Sequence, residues 1–237
     1  MTDPAPAPAA ADEGAAPRFD SFELRFLLML SFTAGVFDAT AFIGLDSVFV
    51  ANMTGNVVLV GLGLTAPGLT VSGPLVAIGA FVIGAALAAR SGLGARTRLQ
   101  LLQLTLVVEG VLLVPAILLA IGYDGGHDLT RLLIIAALAA AMGSRNETMR
   151  EIGVPEIATT AQTVRLATIA GEEFRGGGRG PAARRRIGAV VAMLAGAIVG
   201  GWLAVETDLV WPLVLLLTIH LVSGAGLVVR SRRSRHA

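Results

Sequence analysis

The sequence predicts an all-α polytopic membrane protein with six transmembrane helices and two re-entrant half-helices, arranged as two inverted repeats. Three observations carry this. The 237-residue chain is 54% hydrophobic and only 15% charged, with a mean hydropathy of +0.75, whereas a soluble domain of this size carries about 25% charged residues. Six apolar segments approach or exceed the ~20 residues a helix needs to cross a bilayer. Two further apolar segments are too short to cross, and each opens on a polar cluster.

Taken in order, Met1–Glu23 is rich in Ala and Pro, carries Asp3, Asp12, Glu13 and Asp20, and shows no apolar periodicity. It reads as a disordered cytoplasmic tail rather than a signal peptide, since no basic stretch precedes an apolar core. The six spanning segments are Leu24–Leu45, Val71–Arg90, Leu99–Ile121, Arg131–Met149, Ile187–Val205 and Leu209–Val229. Pro67, Pro74, Pro155 and Pro212 fall at or near segment ends, where a missing N–H matters little, and Pro115 is a kink of the kind membrane helices tolerate. The domain reading is a tail over 1–23, membrane repeat 1 over 24–121 and an outer loop over 122–130. Membrane repeat 2 follows over 131–229, with a cytoplasmic loop over 171–186, and a basic cytoplasmic tail closes the chain over 230–237.

The first short segment follows Val48–Val50. Asn52-Met53-Thr54-Gly55-Asn56 opens an apolar stretch that ends at Leu64. At about 1.5 Å per residue a helix over Thr54–Leu64 reaches only about half of the ~30 Å hydrocarbon thickness. Asn52 or Thr54 can cap it by accepting backbone N–H groups. The second short segment is Thr159–Ala170, headed by Thr159, Thr160, Gln162 and Thr163.

The halves align when laid side by side. Gly35-Val36-Phe37-Asp38-Ala39 corresponds to Gly143-Ser144-Arg145-Asn146-Glu147, an offset of 108, and Thr54 corresponds to Thr163, an offset of 109. Phe81-Val82-Ile83-Gly84-Ala85 corresponds to Met193-Leu194-Ala195-Gly196-Ala197, an offset of 112, and Glu109 to His220, an offset of 111. Three spans per half is an odd number, so the second half must be inverted. Charge provides an independent check. All 18 basic residues are Arg. With both termini cytoplasmic, Arg18, Arg25, Arg90, Arg96, Arg98, Arg145, Arg150, Arg175, Arg179, Arg184–Arg186, Arg230, Arg232, Arg233 and Arg235 count as inside. Arg131 alone is outside, and Arg165 lies in the second half-helix. Letting both short segments span would carry Arg90, Arg96, Arg98, Arg145 and Arg150 outside, against the positive-inside rule.

Half-helices within inverted repeats are built into transporters and channels, with the site near the midplane. If both enter extended and return helical, their N-termini point at each other, offering partial positive charge and N–H donors to an anion or polar solute. The expected solute contacts are Asn52, Thr54, Gly55, Asn56, Thr160, Thr163 and Arg165. The alternative is that these hydroxyls and amides only cap helix ends or bond across helices, and that Arg165 snorkels to a surface. Ionisable groups within spans default to functional candidates, so Asp38, Glu109, Asn146 and His220 are the gating or coupling set. Glu109 is either buried and protonated or meets a partner such as His220 or Arg165. A Glu–His pair suits proton coupling, and a plain interhelical hydrogen bond is the alternative. Gly84 with Ala80 and Ala88, and Gly196 with Gly200, form small-residue faces suited to helix packing.

The sequence shows no nucleophile elbow, metal-ligand spacing or dinucleotide fingerprint. Gly171–Gly180 lacks the Lys-Ser/Thr end of a phosphate-binding loop and reads as a linker. No enzyme, catalytic residue, cofactor or metal is expected, and no nucleic-acid partner. Cysteine is absent. The expected partners are the lipid bilayer, a small polar or anionic solute and a further copy in a homo-oligomer; the expected place is the cytoplasmic (inner) membrane. A non-transporting partner subunit or scaffold is the alternative function.

Gly35-Val36-Phe37-Asp38-Ala39 followed by Phe49-Val50-Ala51-Asn52-Met53-Thr54-Gly55-Asn56 resembles the YoaK-like family of bacterial integral membrane proteins, some of them labelled permeases. The likeness runs from about Phe26 to Val229, and Ala141-Met142-Gly143-Ser144-Arg145-Asn146 is similar to the family's second-half motif. The resemblance implies the membrane class and leaves the substrate open. One departure stands out: relatives tend to read Thr-Gly-Thr where this chain has Thr163-Val164-Arg165.

Overall fold

The computed structural model describes residues 20–91, 96–153 and 181–233. Among them it contains seven helices and no strand: α1 (Ser21–Gly44), α2 (Met53–Gly63), α3 (Ser72–Arg90), α4 (Arg98–Ala120), α5 (Asp128–Glu151), α6 (Pro181–Glu206) and α7 (Val210–Arg233). The six long apolar segments of the sequence appear as α1 and α3 to α7, and the first short one as α2. The second short segment, with Thr159, Thr160, Gln162, Thr163 and Arg165, lies outside the described residues, as do residues 1–19 of the tail.

Local chemistry sets the helix starts. Asp20 and Glu23 form a capping box at the head of α1, and Thr97 with Gln100 forms another at α4, so orphan N–H groups are satisfied reciprocally. Asn52, rather than Thr54, caps α2 by accepting from Gly55 N–H. The α4 helix continues through Pro115.

Among the described residues five helices are long and apolar enough to cross a membrane: α1, α3, α4, α6 over Arg184–Glu206, and α7 over Val210–Ser231. The 24-residue α5 is as long but carries Asp128, Arg131, Arg145, Glu147, Arg150 and Glu151. It packs against α3 and α4, and half its length is buried, from Ile134, Ile135, Leu138 and Met142 to Thr148 and Met149. Protein, not solvent or lipid, surrounds its inner polar groups.

Two crossings made by small residues define the bundle, α1 on α6 and α3 on α5. A methyl group at Gly35 would overlap the carbonyl oxygen of Met193, and one at Gly196 the carbonyl oxygen of Phe32. At the other crossing a methyl at Gly143 would overlap the carbonyl of Phe81, and one at Gly84 that of Ala140. The two crossings use corresponding residues: Phe32 and Ala140 differ by 108, and Phe81 and Met193 by 112, the same offsets that align the halves. Backbones this close pack by van der Waals contact, the main attraction left between helices in lipid.

Side-chain pairs tie the helix ends. At one end Arg98 lies 3.8 Å from Glu23 and Arg230 bonds Asp20. At the other, Asp46 accepts from Thr70 at 2.7 Å and from Arg131, while Leu209 fills the space beside Gly44. Beyond α1, Asp46 and Ser47 adopt left-handed φ of 66° and 57°, a pairing uncommon outside Gly and Asn that reverses the chain. The backbone then runs back along α1 as far as Asp38 before α2 begins. Helix α2 returns toward its starting end, where Gly63 meets Val71 and the Leu69 carbonyl.

Candidate functional site

The polar centre of the bundle is a cluster of Glu109 from α4, Arg145 from α5 and His220 from α7, which are 0%, 5% and 2% exposed. Glu109 sits at the middle of α4, and α7 brings His220 to the same depth. Arg145 Nε donates to Glu109 Oε1 at 2.7 Å, and its Nη2 donates to Oε2. Nη1 donates to the Leu30 carbonyl at 2.9 Å and to Thr33 Oγ1 at 3.1 Å, both on α1. Nη2 lies 3.5 Å from His220 Nε2. Such a two-pronged guanidinium–carboxylate pair is the geometry Arg supplies and Lys cannot. The His220 ring is held by Nδ1, which donates to the Leu216 carbonyl at 2.6 Å, and by Nε2, which stands 2.5 Å from Glu109 Oε2. Phe37 closes the site from α1. Its ring meets the imidazole edge-on at 6.3 Å, and the guanidinium lies 5.6 Å from its centroid.

The charge count over the sequence placed Arg145 on the inner surface, and the structure corrects this. Arg145 follows Leu138 by seven residues, Ala141 by four and Met142 by three, so it shares their buried face. Six residues of helix still follow it. It is the partner of Glu109 that sequence reasoning missed, having weighed His220 and Arg165; helical periodicity within α5 was the signal available.

Asp38, next to Phe37 on α1, points the other way. Its Oδ1 accepts the backbone N–H of Val50 at 3.0 Å and of Ala51 at 2.7 Å, both buried. One carboxylate thereby holds the strand-like lead into α2. Asn56 completes that turn, donating to the Phe49 carbonyl at 2.6 Å and accepting the Phe49 N–H at 3.0 Å. Phe49 also stacks obliquely on Phe42, with ring centroids 5.0 Å apart. Gly55 lies against the Phe49 ring, and a side chain there would strike it. Thr54 is exposed, as are Val57, Val58 and Leu62 along α2. So of the expected first-half contacts, Asn52 and Asn56 bond to nearby backbone, Gly55 allows close approach, and Thr54 faces outward. Asn146, the counterpart of Asp38, has its Oδ1 buried with no hydrogen-bond partner among the described residues.

Between α4 and α7 a groove of about 650 Å³ reaches His220. It is apolar apart from that imidazole and Gln103, being lined by Leu106, Val111, Leu217 and Leu221 among others. Among the described residues no group of His, Asp and Glu side chains is arranged to hold a metal ion.

A bundle of apolar helices of membrane-crossing length, with Asp38, Glu109, Arg145 and His220 buried inside it, defines a multi-pass membrane protein. The chain belongs to the family described as Protein of unknown function (DUF1275), whose model matches residues 26–225. It is 28% identical over 144 residues to the UPF0700 transmembrane protein YoaK of Bacillus subtilis (strain 168). That match covers 60% of this chain and 64% of the relative's length. No solved structure matches.

Proposed function

We propose that the protein is a permease or channel-like protein for a small polar or anionic solute, built from two inverted three-helix repeats. The carrying observation is the buried Glu109–Arg145–His220 cluster, because ionisable groups are expensive within a bilayer and are kept there chiefly where they act on a solute or ion path. Two other observations support the architecture. The α1–α6 and α3–α5 crossings use residues related by the two repeat offsets. The chain before α2 turns back along α1 to Asp38 and α2 returns, the path of a re-entrant half-helix.

In this reading the solute meets the N-terminus of α2 around Asn52, Thr54 and Gly55, with Asn56 and Asp38 setting its depth. Thr160, Thr163 and Arg165 supply the matching contacts from the second half. Glu109, His220 and Asn146 act in gating or coupling, with Arg145 added to that set. The end carrying Arg25, Arg90, Arg96, Arg98, Arg150, Arg184–Arg186 and Arg230 faces the cytoplasm, and the membrane is the cytoplasmic one. No reaction is catalysed.

A second reading has its own observation. Each nitrogen of the Arg145 guanidinium donates to an acceptor on Glu109, Leu30 or Thr33, as expected of a cluster that only joins helices in a partner subunit. Flux into proteoliposomes separates the two. Native protein is compared with Asp38→Asn and Thr54→Val across nitrate, chloride, phosphate, urea and glycerol. Movement of one solute class, reduced in both variants, supports the permease. Folded protein that moves none of them supports the partner subunit.

A further inference from the structure

Glu109 and His220 lie on α4 and α7, which pack on each other, at positions related by the repeat offset of 111. Their protons can be counted from the geometry. A carbonyl oxygen has no proton to give, so the 2.6 Å contact with Leu216 O places a proton on His220 Nδ1. In a neutral imidazole Nε2 is then a bare lone pair. It stands 2.5 Å from Glu109 Oε2, and an ionised carboxylate offers only lone pairs as well. The contact is a hydrogen bond when one more proton lies between them, and two lone pairs face each other when it does not.

We infer that the Glu109–His220 pair is a proton-binding site and that a proton is the ion this permease couples to its solute, an inference that rests on the transport reading above. The groups facing the pair are Arg145 from α5 and, from α1, Thr33, Phe37 and the Leu30 carbonyl. With the proton bound, guanidinium, carboxylate and imidazole together carry one net positive charge in a buried place. A monovalent anion in transit neutralises it, so the solute class narrows from polar to anionic and anion and proton move together. On release the proton leaves from between Oε2 and Nε2. His220 keeps its Nδ1 proton on Leu216, Arg145 keeps the carboxylate, and the cluster becomes neutral. The Nε2–Oε2 contact then turns repulsive and the α4–α7 junction loosens. Proton occupancy and the packing of the two halves are thereby linked.

Two measurements on the native full-length chain test this. In proteoliposomes an inside-alkaline gradient should drive nitrate or chloride accumulation of about tenfold per pH unit for one-to-one coupling, since one unit is 1.36 kcal/mol. Glu109→Gln and His220→Gln should abolish that accumulation. Anion flux that ignores the gradient overturns the proton inference and leaves the permease standing; no flux of any solute overturns the permease and the coupling with it. Nitrogen-15 spectra of the imidazoles, assigned by His220→Gln, provide a readout that does not need transport. His220 should show Nδ1 protonated and Nε2 in a strong hydrogen bond to Glu109. An Nε2 with the shift of a free lone pair overturns the site.

Discussion

Arg145 grips both oxygens of Glu109 across the α4–α5 contact, 36 residues away in sequence, at a place where neither side chain reaches solvent. The pair makes α5, the most charged of the long helices, an interior element. Removing one partner leaves the other charged and buried. Glu109→Gln and Arg145→Gln should each lower stability by about 3–5 kcal/mol. Thermal unfolding in detergent checks this, with Arg150→Gln as the control. Arg150 is exposed and pairs with Glu147 and Glu151 on its own helix, so its loss should leave the melting temperature close to the native one.

The helix crossings give a sharper contrast within one helix. Gly84 and Gly79 both lie on α3, but a methyl at Gly84 would strike the Ala140 backbone while Gly79 faces open space. Gly84→Ala should destabilise by about 1–3 kcal/mol, as overpacking does. Gly79→Ala should be neutral or stabilising by up to about 1 kcal/mol, because Ala is the better helix former. Equal effects in an unfolding assay would contradict the packing described for α3 and α5.

Acid sensitivity is expected at the opposite end of the bundle. The Thr70 hydroxyl and then the Arg131 guanidinium hold the Asp46 carboxyl below its ordinary value of 3.8, against a partial burial that pushes it up. A lowered folded-state value adds stability that is fully present above 3.8 and is lost as pH falls through the lower, folded-state value. Asp46 is half exposed, so screening limits the effect to under about 1 kcal/mol. Unfolding of Asp46→Asn should therefore show a flatter pH dependence below pH 4 than the native chain, and a native–variant difference that stays the same from neutral pH into strong acid would contradict the assignment.

The path of α2 has a direct labelling test, because the chain contains no cysteine. Ser47 precedes α2 and Thr65 follows it, and both are exposed. In the proposed topology Ser47→Cys and Thr65→Cys react with an impermeant thiol reagent from the same, outer face, while Ser91→Cys reacts after permeabilisation. Labelling of Ser47→Cys and Thr65→Cys from opposite faces would mean that α2 crosses the membrane.

Apolar run length made the helices legible in the sequence, with α1, α2 and α7 starting within three residues of their expected places and α6 starting six earlier. The glycine pairs were legible as small-residue faces, though not which helix each would meet. Arg145 was not read as buried, because counting charges by distance from a segment's end ignores which face of the helix they occupy. The Asp46–Arg131 contact joins residues 85 apart, and no local pattern announces it. Asn52 and Asn56 show the reverse case, where residue type suggested ligand contact and the structure turns both amides onto neighbouring backbone.

Function and structural support at the central cluster are separated by replacing all of it at once. A buried ion pair exchanged for apolar residues of similar volume is often neutral or stabilising, so Glu109→Leu, Arg145→Met and His220→Leu combined should leave a folded chain. The measurement is anion flux through that triple variant, alongside its melting temperature. Flux lost with melting preserved is the predicted result. Flux retained would contradict the account and make the cluster a fastening between helices.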